Sequence, residues 1–217
     1  MTLSAYSDAQ AAQEMAKAVR EQDVANIRFF ASIGADLNAK DSVEITLLMN
    51  AANDGRISSA EALLEAGADP NVIGSPSGWT AMHYAAYRGN TGMAELLLKH
   101  NADTEIRSRL GGDTVLHTAA FNGTLELVKT LVEAGADIMA KDDRGNTAMQ
   151  IAIYRSKDRF NLWGKPFGEV AEYLKNKMEE AELRAEAEKS RVAQVAADVA
   201  KLKSLKPERF RIRPRQG

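Results

Sequence analysis

The chain has 217 residues, 45% of them apolar and 27% charged, with a formal net charge of −2 and no cysteine. That is enough apolar material for a folded core, and it excludes a disulfide framework, a thiol nucleophile and the usual cysteine-rich zinc site. The near-neutral balance also excludes a chain that coats nucleic acid along its whole length, although residues 1–167 sum to −5 and residues 168–217 to +3.

The opening residues, MTLSAYSDAQ, lack the basic residue, apolar core and small-residue cleavage site of a secretory signal. No uncharged run approaches the roughly 18 to 20 apolar residues that span a membrane. A soluble, intracellular protein is expected, cytoplasmic first and nuclear second.

In chain order, a helical pattern starts near Gln13 and continues in VANIRFFASIG, closed by Gly34-Ala35-Asp36. Then a unit recurs. Thr46, Thr80, Thr114 and Thr147 fall 34, 34 and 33 residues apart and open the segments TLLMNAANDG, TAMHYAAYRG, TVLHTAAFNG and TAMQIAIYRS. In each, the third residue is apolar and the sixth is alanine, the small side chain that lets one short helix pack closely on its counterpart in the next unit. Nine residues after the first three threonines come Gly55, Gly89 and Gly123, and twenty-one residues after come Gly67, Asn101 and Gly135, opening GAD or NAD. Glycine and asparagine are the residues that most readily take the left-handed conformation ending a helix.

The fifth unit is interrupted between Tyr154 and the helix EVAEYLKNK by an insertion at about 156–167, with Gly164 and Pro166 as loop signals and Phe160, Trp163 and Phe167 as its aromatics. It reads as an aromatic binding loop or as aromatics folded back over the last unit, and the need of three aromatics for burial favours the second. From about Gly168 to about Leu205 runs one long helix. Its Leu174, Met178, Ala181, Ala185, Val192, Val195, Val199 and Leu202 follow a coiled-coil spacing that Glu188 interrupts. A homodimer through this helix, packing along the repeats, and an exposed helix for a partner are all open. The alanines bury little area, which weighs against a strong isolated dimer.

These fixed offsets together resemble the ankyrin repeat, whose pattern runs through T-P-L-H, paired alanines, a helix-ending glycine and G-A-D, over roughly residues 13 to 175. The chain departs from that pattern in having no proline after any of its four threonines, which leaves capping to the threonine itself. The resemblance implies an all-α repeat solenoid: about five helix-turn-helix repeats with projecting hairpins, near 13–45, 46–79, 80–113, 114–146 and 147–177. A C-terminal helix at 178–205 and a basic tail at 206–217 follow. Terminal repeats are commonly atypical, so repeat one is expected to act as a cap.

Chemistry is hard to find in this sequence. His83 and His117 stand at one offset after their threonines, and the resemblance implies a structural role near the hairpins. His100 suits a solvated helix end. No glycine-rich phosphate loop, serine elbow or zinc helix is present, and Asp142, Asp143 and Gly145 match only the start of a calcium loop, so no cofactor, no metal and no catalytic residue are expected. The resemblance instead implies a groove lined by the residues after the paired alanines and those before each threonine. Of these, Trp79, Tyr87, Arg88, Leu110, Phe121, Asn122, Tyr154 and Arg155 are the candidates for binding a partner protein, being rich in types that anchor interfaces. The expected function is a non-catalytic adaptor, scaffold or inhibitor. The alternative is a nucleic-acid or anionic-membrane accessory using Lys206, Arg209, Arg211, Arg213 and Arg215 of the tail.

Overall fold

A computed structural model describes residues 8–74, 76–157 and 164–204 of the chain. Among these residues lie ten helices and no strand: α1 (Asp8–Glu21), α2 (Val24–Ser32), α3 (Leu47–Asp54), α4 (Ile57–Glu65), α5 (Ala81–Arg88), α6 (Thr91–Lys99), α7 (Val115–Asn122), α8 (Leu125–Glu133), α9 (Ala148–Ser156) and α10 (Phe167–Ser204). The chain divides into two compact units, Met1–Lys175 and Asn176–Gly217.

The first unit is a stack of helix pairs. The first helices α3, α5, α7 and α9 pack in one row and the second helices α2, α4, α6 and α8 in another, with α1 against α2, α3 and α4. The core lies between the rows. Its repeating positions are those the sequence marks: Leu48, Met82 and Leu116 at the third residue and Ala51, Ala85, Ala119 and Ala152 at the sixth are all buried. Each such leucine or methionine contributes about 1.5 to 3 kcal/mol by leaving water, while each alanine sets how closely the rows approach.

Every first helix from α3 onward starts at its threonine, and the residue three positions on reaches back to that threonine's backbone. Thr46 N–H meets Met49 Sδ at 3.5 Å, Thr80 and Thr114 donate to Nδ1 of His83 and His117 at 3.3 and 3.2 Å, and Thr147 donates to Gln150 Oε1 at 2.8 Å. These caps do the work that proline does in the consensus pattern.

A second ladder ties the repeats together at the other end of each helix pair. Asp36, Asp69, Asp103 and Asp137 each accept the backbone N–H two residues on, at 2.8 to 2.9 Å. The side chain so positioned accepts the aspartate N–H of the next repeat: Asn38 from Asp69, Asn71 from Asp103 and Glu105 from Asp137. In the fourth repeat the position is the exposed Met139, which offers no comparable oxygen, and no further GAD follows it.

The long helix expected from about Gly168 begins at Phe167, the last residue assigned to the insertion. Pro166 does not extend the loop but opens the helix, its carbonyl accepting Val170 N–H at 3.0 Å, as suits a residue with no N–H of its own to satisfy. Phe167, Val170 and Leu174 are buried in the first unit. Phe160 and Trp163 lie outside the described residues. In the second unit α10 continues as helix to Ser204, and Leu183, Val192, Val195, Val199 and Leu202 are exposed there.

Candidate functional site

The hairpins that lead into the first helices share one closing backbone bond: Asp41 N–H to Ile45 O, Gly74 to Trp79, Ser108 to Asp113 and Asp142 to Asn146. Two residues before each threonine the chain turns left-handed, at Glu44, Gly78, Gly112 and Gly145. At Gly78 the turn also allows a close approach. Arg109 N–H donates to Ser77 O at 2.8 Å, and a Cβ at Gly78 would lie 2.6 Å from that nitrogen. Asp143 N–H bonds Gly111 O in the same way, and Arg107 adds bonds to Lys141 O at 2.7 Å and to the Asp143 carboxylate at 3.0 Å. The hairpins from Ser77 to Asp143 therefore form a connected rim.

The histidines fasten that rim to the helices. Because Nδ1 of His83 accepts from Thr80 N–H, its proton is on Nε2, which donates to Asp113 O at 3.2 Å. His117 repeats the arrangement with Asn146 O at 3.0 Å. Burial lowers the His83 pKa from 6.5 to about 4, against the smaller opposing effect of the Asp113 carbonyl. Both rings are consumed by structure.

Seven residues after the threonines, Asn53, Tyr87, Phe121 and Tyr154 line up along the outer side of the first helices. The surroundings differ from repeat to repeat. Trp79, partly buried, lies 5.2 Å from the Tyr84 ring and 5.4 Å from the Tyr87 ring, and stacks on His83. Arg88 reaches back across the row to Asn53 Oδ1 at 3.1 Å. These residues form an aromatic and polar cluster in the middle repeats.

At the next junction the position of Trp79 is taken by Asp113, and the position of Tyr84 by Thr118 and then Ile151. The smaller side chains leave space. A groove of about 530 Å³ opens there, with Leu110 and Asp113 on one hairpin, Asp142, Arg144 and Asn146 on the next, and Phe121, Gln150, Ile151 and Tyr154 on the helices. Three of the sequence candidates, Leu110, Phe121 and Tyr154, are brought together in it, and Leu110 and Tyr154 are 68% and 77% exposed. Burial raises the Asp113 carboxyl above the usual carboxylate range, reinforced by Asp142 and Asp143 and opposed by His117 and Arg144.

The other two candidates are held by neighbours. The Arg155 guanidinium lies 4.6 Å from the Phe121 ring centre and 5.1 Å from that of Phe167. Phe167 in turn lies over Gly123, where a Cβ would come within 2.5 Å of the ring. Asn122 accepts two bonds from Lys165 Nζ, at 2.7 Å through its carbonyl and 2.6 Å through its side chain. Arg155 and Asn122 thus anchor the start of α10 and are not among the residues that line the groove.

A second groove, of about 570 Å³, was not foreseen. It lies between α1 and the first hairpin, lined by Ala11, Met15, Arg20, Lys40, Ile45 and Leu47 among others. The signal available for it was the small apolar face of α1, AQAAQEMA, opposite a hairpin that carries Ile45 and no tryptophan. Among the described residues no group of three or more histidine, cysteine, aspartate or glutamate side chains is placed to hold a metal ion, and no helix is long and apolar enough to cross a membrane. The tail residues Lys206, Arg209, Arg211, Arg213 and Arg215 lie outside the described residues.

Comparison with known proteins gives the same reading as the stack. No curated protein matches the chain as a relative. Two family models match, one describing ankyrin repeats in three copies over residues 15–108 and one describing ankyrin repeats in many copies over residues 106–152. With the threonine caps, paired helices and linked hairpins already in place over the same residues, the chain belongs to the ankyrin-repeat family.

Proposed function

We propose that the chain is a non-catalytic adaptor, scaffold or inhibitor that holds a partner protein against the hairpin and first-helix side of its stack, with the groove of Leu110, Phe121 and Tyr154 as the main grip. Ankyrin repeats are in general protein–protein interaction modules. The observation that carries the reading is the juxtaposition of Leu110 and Tyr154, large and mostly exposed, with Phe121 over an open groove. Large side chains around a desolvatable hollow are what interface anchors need, since they bury much area at little entropic cost. The Trp79, Tyr84 and Tyr87 cluster adds an adjoining aromatic surface on the same row.

The test is partner capture with the native chain and with the double variant Leu110→Ala, Tyr154→Ala. Both side chains are exposed, so the variant keeps the melting temperature of the native chain. The proposal expects captured proteins to fall by at least about tenfold, the effect of roughly 1.4 kcal/mol. An unchanged set of captured proteins would put the grip elsewhere.

A further inference from the structure

The part of α10 in the second unit carries an exposed apolar stripe whose sizes and charges are arranged in a direction. Met178, Ala181, Ala185, Val192, Val195, Val199 and Leu202 keep an unbroken alternation of three- and four-residue steps, with Glu188 at the one position that is not apolar. Val192, Val195, Val199 and Leu202 are between 44% and 68% exposed. The first half of the stripe is small, with Ala181 and Ala185, and the second half is large or β-branched.

That asymmetry discriminates between ways of covering the stripe. A second copy laid parallel would set alanine on alanine and Glu188 on Glu188 and bring Arg184 beside Lys189 of the other chain, while Lys177 comes beside Glu182, so the thin layers and the paired Glu188 carboxylates weigh against it. Laid antiparallel with residue 190 opposite residue 190, the same stripe complements itself. Met178 then faces Leu202, Ala181 faces Val199, Ala185 faces Val195 and Glu188 faces Val192. Arg184 comes beside Asp198 of the other chain, an aspartate whose other oxygen is already held by Gln194 at 3.1 Å. Two Lys189 and two Arg191 side chains meet at the centre, and the two Glu188 carboxylates offset half of their charge.

We propose that residues 178–202 of α10 pair with the same segment of a second copy of this chain, as an antiparallel two-helix coiled coil. The interface is isologous, each half using both the small and the large end of one stripe. Glu188 is then a direction-setting residue within the seam, because the antiparallel pairing keeps the two carboxylates out of one layer. The alanine layers bury little area, so the pairing is reversible.

The absence of cysteine in the native chain lets single cysteines report the geometry. Full-length Ala181→Cys and Val199→Cys chains are equilibrated separately and together in a glutathione buffer, and the native chain is followed by sedimentation velocity from about 1 to about 200 µM. The expected result is a concentration-dependent dimer and a mixed disulfide between the two variants in at least about tenfold excess over either self-linked product. Val195→Asp should move dimerisation to at least about tenfold higher concentration with the melting of the repeat stack unchanged. A monomer throughout would overturn the proposal and leave the stripe to a different partner. Self-linking of Ala181→Cys would establish a parallel pair, and a dimer indifferent to Val195→Asp would place the contact elsewhere, and either also overturns it.

Discussion

His83 is where the repeat pattern turns into a pH dependence. The ring is buried neutral and its pKa falls from 6.5 to about 4, so the unfolded chain binds the proton more readily than the folded one between those values. Its contribution is therefore complete above about pH 6.5 and is lost as pH falls through 4, amounting to about 3 kcal/mol at 1.36 kcal/mol per unit. Urea unfolding at pH 7.5 and at pH 4.5 should register most of this loss, and His83→Gln should flatten that part of the dependence. A second residue-scale prediction concerns the left-handed hairpin position. Glu44, at φ 59°, holds a conformation that its three counterparts give to glycine. Glu44→Gly should stabilise by about 0.5 to 1 kcal/mol, whereas Gly78→Ala should destabilise by more than about 2 kcal/mol because its Cβ would meet the Arg109 backbone. Thermal melts of the two variants should move in opposite directions. The helix-ending glycines and Asn101 were legible from their offsets. Glu44 was not, because a glutamate carries no signal for a left-handed turn until three glycines are aligned with it.

At the scale of elements, the two ladders differ in how much of them the sequence disclosed. The threonine caps followed from recurrence, but that Met49 and Gln150 serve where His83 and His117 do depends on reach, which no letter encodes. The chain of Asn38, Asn71 and Glu105 is periodic in the sequence too, two residues after each GAD or NAD aspartate. It went unread because asparagine there looks like ordinary turn composition. Asn71 makes two inter-repeat bonds, accepting from Asp103 N–H at 2.7 Å and donating to Asn101 O at 3.1 Å. Asn71→Ala should cost about 1 to 2 kcal/mol in chemical denaturation, and Met139→Ala, outside the ladder, close to nothing. The start of α10 was legible to within one residue, but the part Pro166 plays in it was not. Pro166 after Gly164 reads as a loop, yet proline also opens helices, and only the packing of Phe167 over Gly123 and against Arg155 decides between them.

For the molecule as a whole, the sequence located the exposed row and missed its division. Equal offsets nominate Tyr87, Phe121 and Tyr154 alike. What separates them is the residue in front of each threonine, bulky at Trp79 and small at Asp113, which fills the first junction and opens the groove at the next. Arg155 and Asn122 were nominated for the same offset and are held from outside the repeat pattern, by Phe167 and Lys165, so their engagement could not be read from the repeats. The groove beside α1 escaped because repeat one has the weakest version of the pattern. The central claim is that a partner protein is held on the hairpin and first-helix side, gripped between Leu110 and Tyr154. Backbone hydrogen exchange of the full chain with and without a captured partner tests it most directly. The account predicts slowed exchange in residues 108–113 and 142–154 with little change in α4, α6 and α8; protection confined to those second helices would contradict it.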